Sequence, residues 1–263
     1  MKVSQIFIYP VKSLSGIALE SSGVTDRGLE HDRRWVLIDN KNYHITQRER
    51  PELMRFQTTL EKEGIRVYDK GSKETMLIHF NSYEGENEEI GVWDDRFLAR
   101  EVNKKISRWF SEKLAMDVRL MYQPDTSLRY VDEKFSISGS EVVSNADGYP
   151  VLIISEESLS DLNDRLDEEV SIERFRPNIV IEGGKAFSED QMGKIKIGDS
   201  LLVGVKNCAR CVMINNDPHS GIRTKEPLKT LSAYRREGNK VLFGRNFLIE
   251  RTGKIKVGDL IFQ

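Results

Sequence analysis

Cysteine is nearly missing from this chain: its 263 residues contain only two. A fold stapled by several disulfides is therefore excluded. An all-cysteine zinc site is excluded too, because structural zinc takes four ligands and His31, His44, His79 and His219 do not stand at finger-like spacing. Long apolar runs are absent; none approaches the roughly 18 residues that a membrane helix requires. Charge of one sign is also lacking. Forty Lys and Arg against 42 Asp and Glu leave a net charge of -2, which gives no general attraction to nucleic acid or to an anionic membrane. Any anion must be held by a local cluster of cations. The opening Met1-Lys2-Val3-Ser4 carries no apolar run of a secretory signal, so the expected compartment is the reducing cytoplasm.

What sulfur there is lies together, in Lys206-Asn207-Cys208-Ala209-Arg210-Cys211, followed by Val212-Met213-Ile214 and Asp217-Pro218. A redox Cys-x-x-Cys activates its first thiol at the start of a helix, whereas Val212–Ile214 reads as strand, which disfavours thiol exchange. Two buried cysteines acting as small hydrophobes remain an open reading. Against it stand Lys206 and Arg210, since neighbouring cations favour a thiolate, and a thiolate is a soft ligand for metal. A sulfur here could bind metal, carry a persulfide or attack an electrophile.

The chain exceeds the usual single domain of about 100 to 200 residues, and its texture is mostly β. Val3–Tyr9 forms a strand that Pro10 ends; Ile17–Leu19, Arg34–Ile38 and Tyr43–Thr46 are further strands. Two helices are expected. Ile106, Trp109, Phe110 and Leu114 recur at helical spacing, as do Leu159, Leu162 and Leu166 behind a Ser155 cap. The stretch from 55 to 100 reads as solvated strands and loops with no functional content. Asp147-Gly148 before Val151–Ile154 looks like the start of a second unit, which places a boundary near 125 and domains at 1–125 and 126–263. Within the second unit, Gly193-Lys194-Ile195-Lys196-Ile197-Gly198-Asp199 returns as Gly253-Lys254-Ile255-Lys256-Val257-Gly258-Asp259. Such alternating strands closed by Gly-Asp turns are pieces of a β-barrel.

Several polar stretches stand beside these strands: Tyr9-Pro10-Val11-Lys12-Ser13, Asp32-Arg33-Arg34-Trp35, Thr46-Gln47-Arg48-Glu49, Ser144-Asn145-Ala146-Asp147, Phe175-Arg176-Pro177-Asn178 and Lys225-Glu226-Pro227-Leu228. In this order, together with the Cys-Ala-Arg-Cys segment and the closing Gly-Lys-Ile-Lys-Val-Gly-Asp, they resemble the MOSC proteins, named for the C-terminal domain of molybdenum-cofactor sulfurase. The similarity is to the branch that carries an N-terminal β-barrel domain and contains the amidoxime-reducing components. The resemblance implies a mostly β, α+β fold with a few helices: an N-terminal β-barrel-like domain, then a MOSC β-barrel domain.

It also implies a molybdenum cofactor, Mo-molybdopterin, with Cys211 as the protein ligand of the metal and the pterin dithiolene adding two sulfurs. Cys208 matches the family cysteine that is not the ligand. Lys12, Ser13, Arg33, Arg176, Asn178 and Arg210 match positions that hold the cofactor, and Asn145 and Asp147 fall near it. Asp217 matches an acid that acts with Cys211 at the catalytic centre, orienting the metal's water or a neighbouring arginine. The implied reaction is reduction of N-hydroxylated small molecules. Because no cysteine follows Cys211, the electrons are expected from a separate flavoprotein or iron-sulfur protein. Pyridoxal phosphate binding is a further family-level expectation. The rival reading is a sulfur carrier with a persulfide on Cys211, and a third is a carrier that holds the cofactor without catalysis.

Overall fold

A computed structural model describes residues 1–80 and 82–263. The first half supplies β1 (Lys2–Ile8), β2 (Ile17–Leu19), β3 (Ser21–Thr25), β4 (Gly28–Leu29), β5 (Trp35–Ile38), β6 (Phe56–Glu61), β7 (Gly64–Asp69), β8 (Thr75–His79), β9 (Glu88–Val92), β10 (Asp95–Glu101), α1 (Lys104–Leu114) and β11 (Arg119–Tyr122). The second supplies β12 (Val151–Ser155), α2 (Glu156–Asn163), β13 (Ile179–Glu182), β14 (Lys194–Ile197), β15 (Ser200–Arg210), α3 (Leu228–Tyr234), β16 (Arg236–Glu237), β17 (Lys240–Arg251), β18 (Gly253–Lys256) and β19 (Ile261–Phe262). The fold is thus mostly strand with a few helices, as the sequence implies. Among the described residues, no helix is long and apolar enough to cross a membrane.

The largest sheet runs β19-β14-β15-β17-β12-β13-β1-β2, with β16 beside β17. Its composition joins distant parts of the chain: β1 lies antiparallel to β13, with Lys2 opposite Glu182 and Ile6 opposite Ile179. Hydrogen bonding therefore crosses the expected division near residue 125, and β3 pairs with β18 across it again. Period-two alternation explains why β1 sits inside the molecule. Ile6 and Ile8 enter a core with Val151, Ile179 and Phe247, while Phe7 and Tyr9 enter another with Ile154, Phe175 and Phe243. Pro10 then ends the strand, delivering Lys12 and Ser13 to the sheet's end.

The remaining strands of the first half form the sheets β5-β11-β10-β9 and β6-β7-β8. Residues 55–100 contribute more than solvated loops: Phe56, Ile65, Val67 and Ile78 are fully buried beside Ile106 and Phe110 of α1. That helix starts where Asn103 Oδ1 accepts the Ile106 N–H at 2.9 Å and stops at Ala115, which is left-handed at φ 47°. Helix α2 is capped by Ser155, whose Oγ accepts the Ser158 N–H at 3.1 Å. It ends at Asn163, so Leu166 packs from outside the helix. The two copies of the repeated heptapeptide become β14 and β18, which meet where Asp199 N–H donates to the Lys254 carbonyl at 3.3 Å.

Two expected strands are corrected. Tyr43–Thr46 makes only isolated bridges, Ile38 with His44 and Tyr43 with Gly91, because the Asp39 carboxylate takes the Tyr43 N–H at 2.9 Å. Val212–Asn215 is a single 3-10 turn. Ladder pairing of β15 with β17 stops at Arg210 opposite Val241, so the backbone beyond it must satisfy itself locally. It does so through Ile214 N–H to the Cys211 carbonyl at 3.2 Å.

Candidate functional site

Cys211 is the first residue past the end of β15, half-buried and with a free thiol, as is Cys208. A cavity of about 630 Å³ opens beside both sulfurs. Of the residues expected to form a site, Lys12, Ser13, Arg33, Asp147, Arg176, Asn178, Arg210 and Cys211 all line it. Asn145 and Asp217 do not. Asn145 lies behind the wall, where its side-chain N–H donates to the Arg33 carbonyl at 2.8 Å while its Oδ1 is buried without a partner. Asp217 stands one step removed: it accepts from Arg174 Nη2 at 2.8 Å and from the His219 and Ser220 N–H groups at 2.8 and 2.9 Å. Burial acts to raise its carboxyl, yet those N–H groups and Arg174 hold it below the usual range. Asp217 is thus paired with Arg174, which lines the cavity.

The cavity wall is built by side chains that tie the two halves of the chain together. Lys12 is buried, and its Nζ donates to the Asn145 carbonyl at 2.9 Å and to Asp147 Oδ1 at 2.7 Å. Burial pushes the Lys12 ammonium down. The surrounding wall desolvates Asp147 only in part, its side chain being 71% exposed, and Lys12, the Trp93 indole and Arg33 hold its carboxyl well below the usual range. Arg33 donates to Asp32 at 2.6 Å and to Asn178 Oδ1 at 3.2 Å. Asn178 in turn spans β1 and β12, donating to the Phe7 carbonyl at 3.3 Å and accepting from Leu152 N–H at 3.2 Å. The guanidinium groups of Arg33 and Arg176 lie 4.5 and 4.1 Å from the Tyr9 ring centre. Arg176 reaches its position from a left-handed backbone, φ 55°, at the end of a 3-10 turn.

Four of the cavity's cations are neutralised: Lys12 by Asp147, Arg33 by Asp32, Arg129 by Asp95 and Arg174 by Asp217. Arg176, Lys206 and Arg210 have no carboxylate partner among the described residues. Burial pushes the Arg176 guanidinium down to about 10, so it stays charged at neutral pH at a desolvation cost that an anion would offset. Lys206 Nζ lies 4.4 Å from the Phe135 ring and 5.6 Å from that of Tyr149. Arg210 donates to Cys208 Sγ at 3.0 Å and to the Phe175 carbonyl, leaving its buried Nε without a partner. The charge beside Cys211 comes from elsewhere: Arg48 Nη2 lies 3.6 Å from its sulfur.

This donor set fits a pterin-held metal. One thiol is at hand as a soft ligand, and three unmatched cations face the same space for an anionic group such as phosphate. No cluster of three or more His, Cys, Asp or Glu among the described residues could hold a metal by itself, so a metal bound here brings ligands of its own.

Sequence reasoning missed several contributors. Arg129 clamps the carbonyls of Ser144, Ala146 and Asp147 and so shapes the loop that presents Asp147. Trp93 donates its indole N–H to Asp147 Oδ1 at 3.1 Å; its one visible signal is a tryptophan between Val92 and Asp94-Asp95, where a turn calls for small residues. His44 packs edge-on against Trp93, ring centres 4.6 Å apart. Burial, with Lys12 nearby, pushes the His44 imidazole down from 6.5 to about 4. The unfolded chain therefore binds a proton that the folded chain refuses, so His44's contribution is complete above pH 6.5 and is lost as pH falls toward 4. The unfolding free energy from urea titrations should drop across that window by as much as about 1.4 kcal/mol per pH unit from this group, and His44→Gln should flatten the decline; equal slopes would contradict the assignment.

Comparison with known proteins identifies the family. Residues 140–262 match the MOSC domain, and residues 1–117 match the MOSC N-terminal beta barrel domain. The chain is 32% identical over 279 residues to mitochondrial amidoxime reducing component 2 of Rattus norvegicus, covering 99% of this chain and 82% of that protein. It is 31% identical over 276 residues to mitochondrial amidoxime-reducing component 1 of Homo sapiens, with the same coverage of 99% and 82%. Against the molybdenum cofactor sulfurase of Oryza sativa subsp. japonica it is 33% identical over 262 residues, which is 92% of this chain but 32% of that longer protein. These matches place the protein in the MOSC family, with the MOSC N-terminal β-barrel domain preceding the MOSC domain.

Proposed function

We propose that this chain holds a molybdenum cofactor through Cys211 and reduces N-hydroxylated small molecules, with electrons from a separate flavoprotein or iron-sulfur protein. One observation carries the reading: the Cys211 sulfur shares a cavity with Arg176, Lys206 and Arg210, three cations without carboxylate partners among the described residues. When bound, the cofactor supplies a two-electron centre for a net change in which the substrate N–OH group takes up two protons and two electrons, its N–O bond breaks, and an N–H group and one water result. Arg176, Lys206 and Arg210 hold its anionic groups. Ser13, Arg33 and Asn178 frame its ring, and Asp217 acts by fixing Arg174. Burial makes the Lys12 ammonium a better proton donor than a solvated lysine, while Asp147 stays ionised and orients it. The free Cys211 thiol calls for a reducing compartment, which the cytoplasm provides.

The likeness to a molybdenum cofactor sulfurase favours a second reading, in which Cys211 carries a persulfide. Protein made in a molybdenum-competent host separates the two. Stoichiometric molybdenum and reduction of benzamidoxime by reduced methyl viologen support the first. Cyanide-labile sulfur without molybdenum would replace it with the second.

A further inference from the structure

We propose that Trp93 is the platform on which the planar part of the substrate stacks, and that Arg48 occupies that seat when substrate is absent. The inference rests on the function proposed above and adds a residue that selects among N-hydroxylated compounds.

Trp93 stands at the tip of the β9–β10 hairpin. Val92 pairs with Asp95, leaving Trp93 and Asp94 as a two-residue loop. Its backbone is left-handed at φ 55°. Such loop positions take Gly, Asn or Asp, and a bulky aromatic residue there is an outlier. Strain of this kind persists only where surrounding contacts over-determine it, and it gathers at functional sites. The contacts are present: the Trp93 N–H points at His44 Nδ1 at 3.4 Å, and the indole N–H donates to the Asp147 oxygen that also receives Lys12. One side of the indole packs on the apolar cluster of Val36, Ile90 and Val92, and the residue also lines the cavity.

A planar group already lies on this ring. The Arg48 guanidinium carbon is 4.6 Å from the Trp93 ring centre, and Nη2 of the same group is 3.6 Å from Cys211 Sγ. Arg48 is exposed and has no carboxylate partner among the described residues, so little holds it in place. An amidoxime or N-hydroxyguanidine carries a flat, delocalised carbon-nitrogen group of the same shape as guanidinium, and its reduced product is a cation of the same kind. The seat of Arg48 therefore suits that group and sets it beside the sulfur. A hydroxylamine with a tetrahedral nitrogen gains nothing from the indole face. The consequence is selection for planar, conjugated N-hydroxylated compounds.

Tryptophan emission tests this without turnover. The chain has three tryptophans, and Trp35 and Trp109 are buried away from the cavity at 2% and 7% exposure. Titrating the purified protein with benzamidine, a planar cation, should change the emission saturably. The change should vanish in Trp93→Leu and should not be produced by cyclohexylamine, a cation that is not flat. No response to benzamidine, an equal response in the variant, or an equal response to cyclohexylamine would overturn the assignment. In turnover, KM for benzamidoxime should be roughly tenfold higher in Trp93→Leu than in Trp93→Phe, two variants that both lack the indole N–H to Asp147, while KM for N,N-diethylhydroxylamine should be the same in the two. Equal changes for both substrates would also overturn it. Protein that responds to benzamidine in emission yet reduces nothing would remove the reductase reading and leave the platform standing.

Discussion

Cys211→Ala should strip molybdenum from the protein and cut benzamidoxime reduction by more than about a hundredfold, since losing groups that merely support a metal ligand already costs 10- to 100-fold. The fold should survive. Cys211 lies beyond the last ladder pair of β15, and its sulfur meets the exposed Arg48. Cys208 differs in kind. It packs against the core that contains Phe7, Phe175 and Phe243 and receives an N–H of Arg210 at 3.0 Å. Cys208→Ala should therefore keep its metal and lose a little stability. Metal content and melting temperature of the two variants, measured side by side, check both statements.

Arg176→Ala carries the second large effect. Its guanidinium donates to the Leu14 carbonyl at 2.7 Å, stacks on Tyr9 and has no carboxylate to neutralise it among the described residues. A charge-assisted hydrogen bond to an anion contributes about 1.5–3 kcal/mol, so cofactor retention should fall roughly tenfold to a hundredfold. Stability should change much less. The lost carbonyl contact is a single bond of about 1 kcal/mol, a few degrees of melting temperature for a chain this long, and alanine meets the same left-handed backbone that arginine does. Arg176→Lys should not restore retention, because an ammonium lacks the planar fork and stacks poorly. Cofactor content after gel filtration, read with the melting curve, decides it; equal retention in wild type and Arg176→Ala would contradict the role.

Local chemistry made much of this legible in the sequence. Pro10 had to end β1, and with that Lys12 and Ser13 were set at a strand end. Asn103 and Ser155 were recognisable caps, and the spacing of Ile106, Trp109, Phe110 and Leu114 could only be a buried helix face. Other features depend on partners that local pattern does not encode. Val212–Ile214 has strand composition, yet β17 begins at Lys240 and leaves it no neighbour, so the backbone turns. The membership of β1 in the sheet of the second half follows from its pairing with β13, not from its own residues. Arg48 stands in a polar motif and Trp93 in a turn that calls for small residues, yet the approach of Arg48 to Cys211 and to the Trp93 ring exists only once the halves are joined. Asp217 was visible as an acid near the thiol, but its place behind Arg174 was not. The boundary near 125 rests on the turn and strand run that look like the start of a second unit, while the hydrogen bonds of β1 and β3 run across it.

X-ray absorption at the molybdenum edge, on protein made in a molybdenum-competent host, tests the central claim most directly by counting the sulfur atoms around the metal. The account predicts three sulfurs in the wild type, one of them lost in any metal that Cys211→Ala retains. Two sulfurs in both proteins would show that Cys211 is not the ligand.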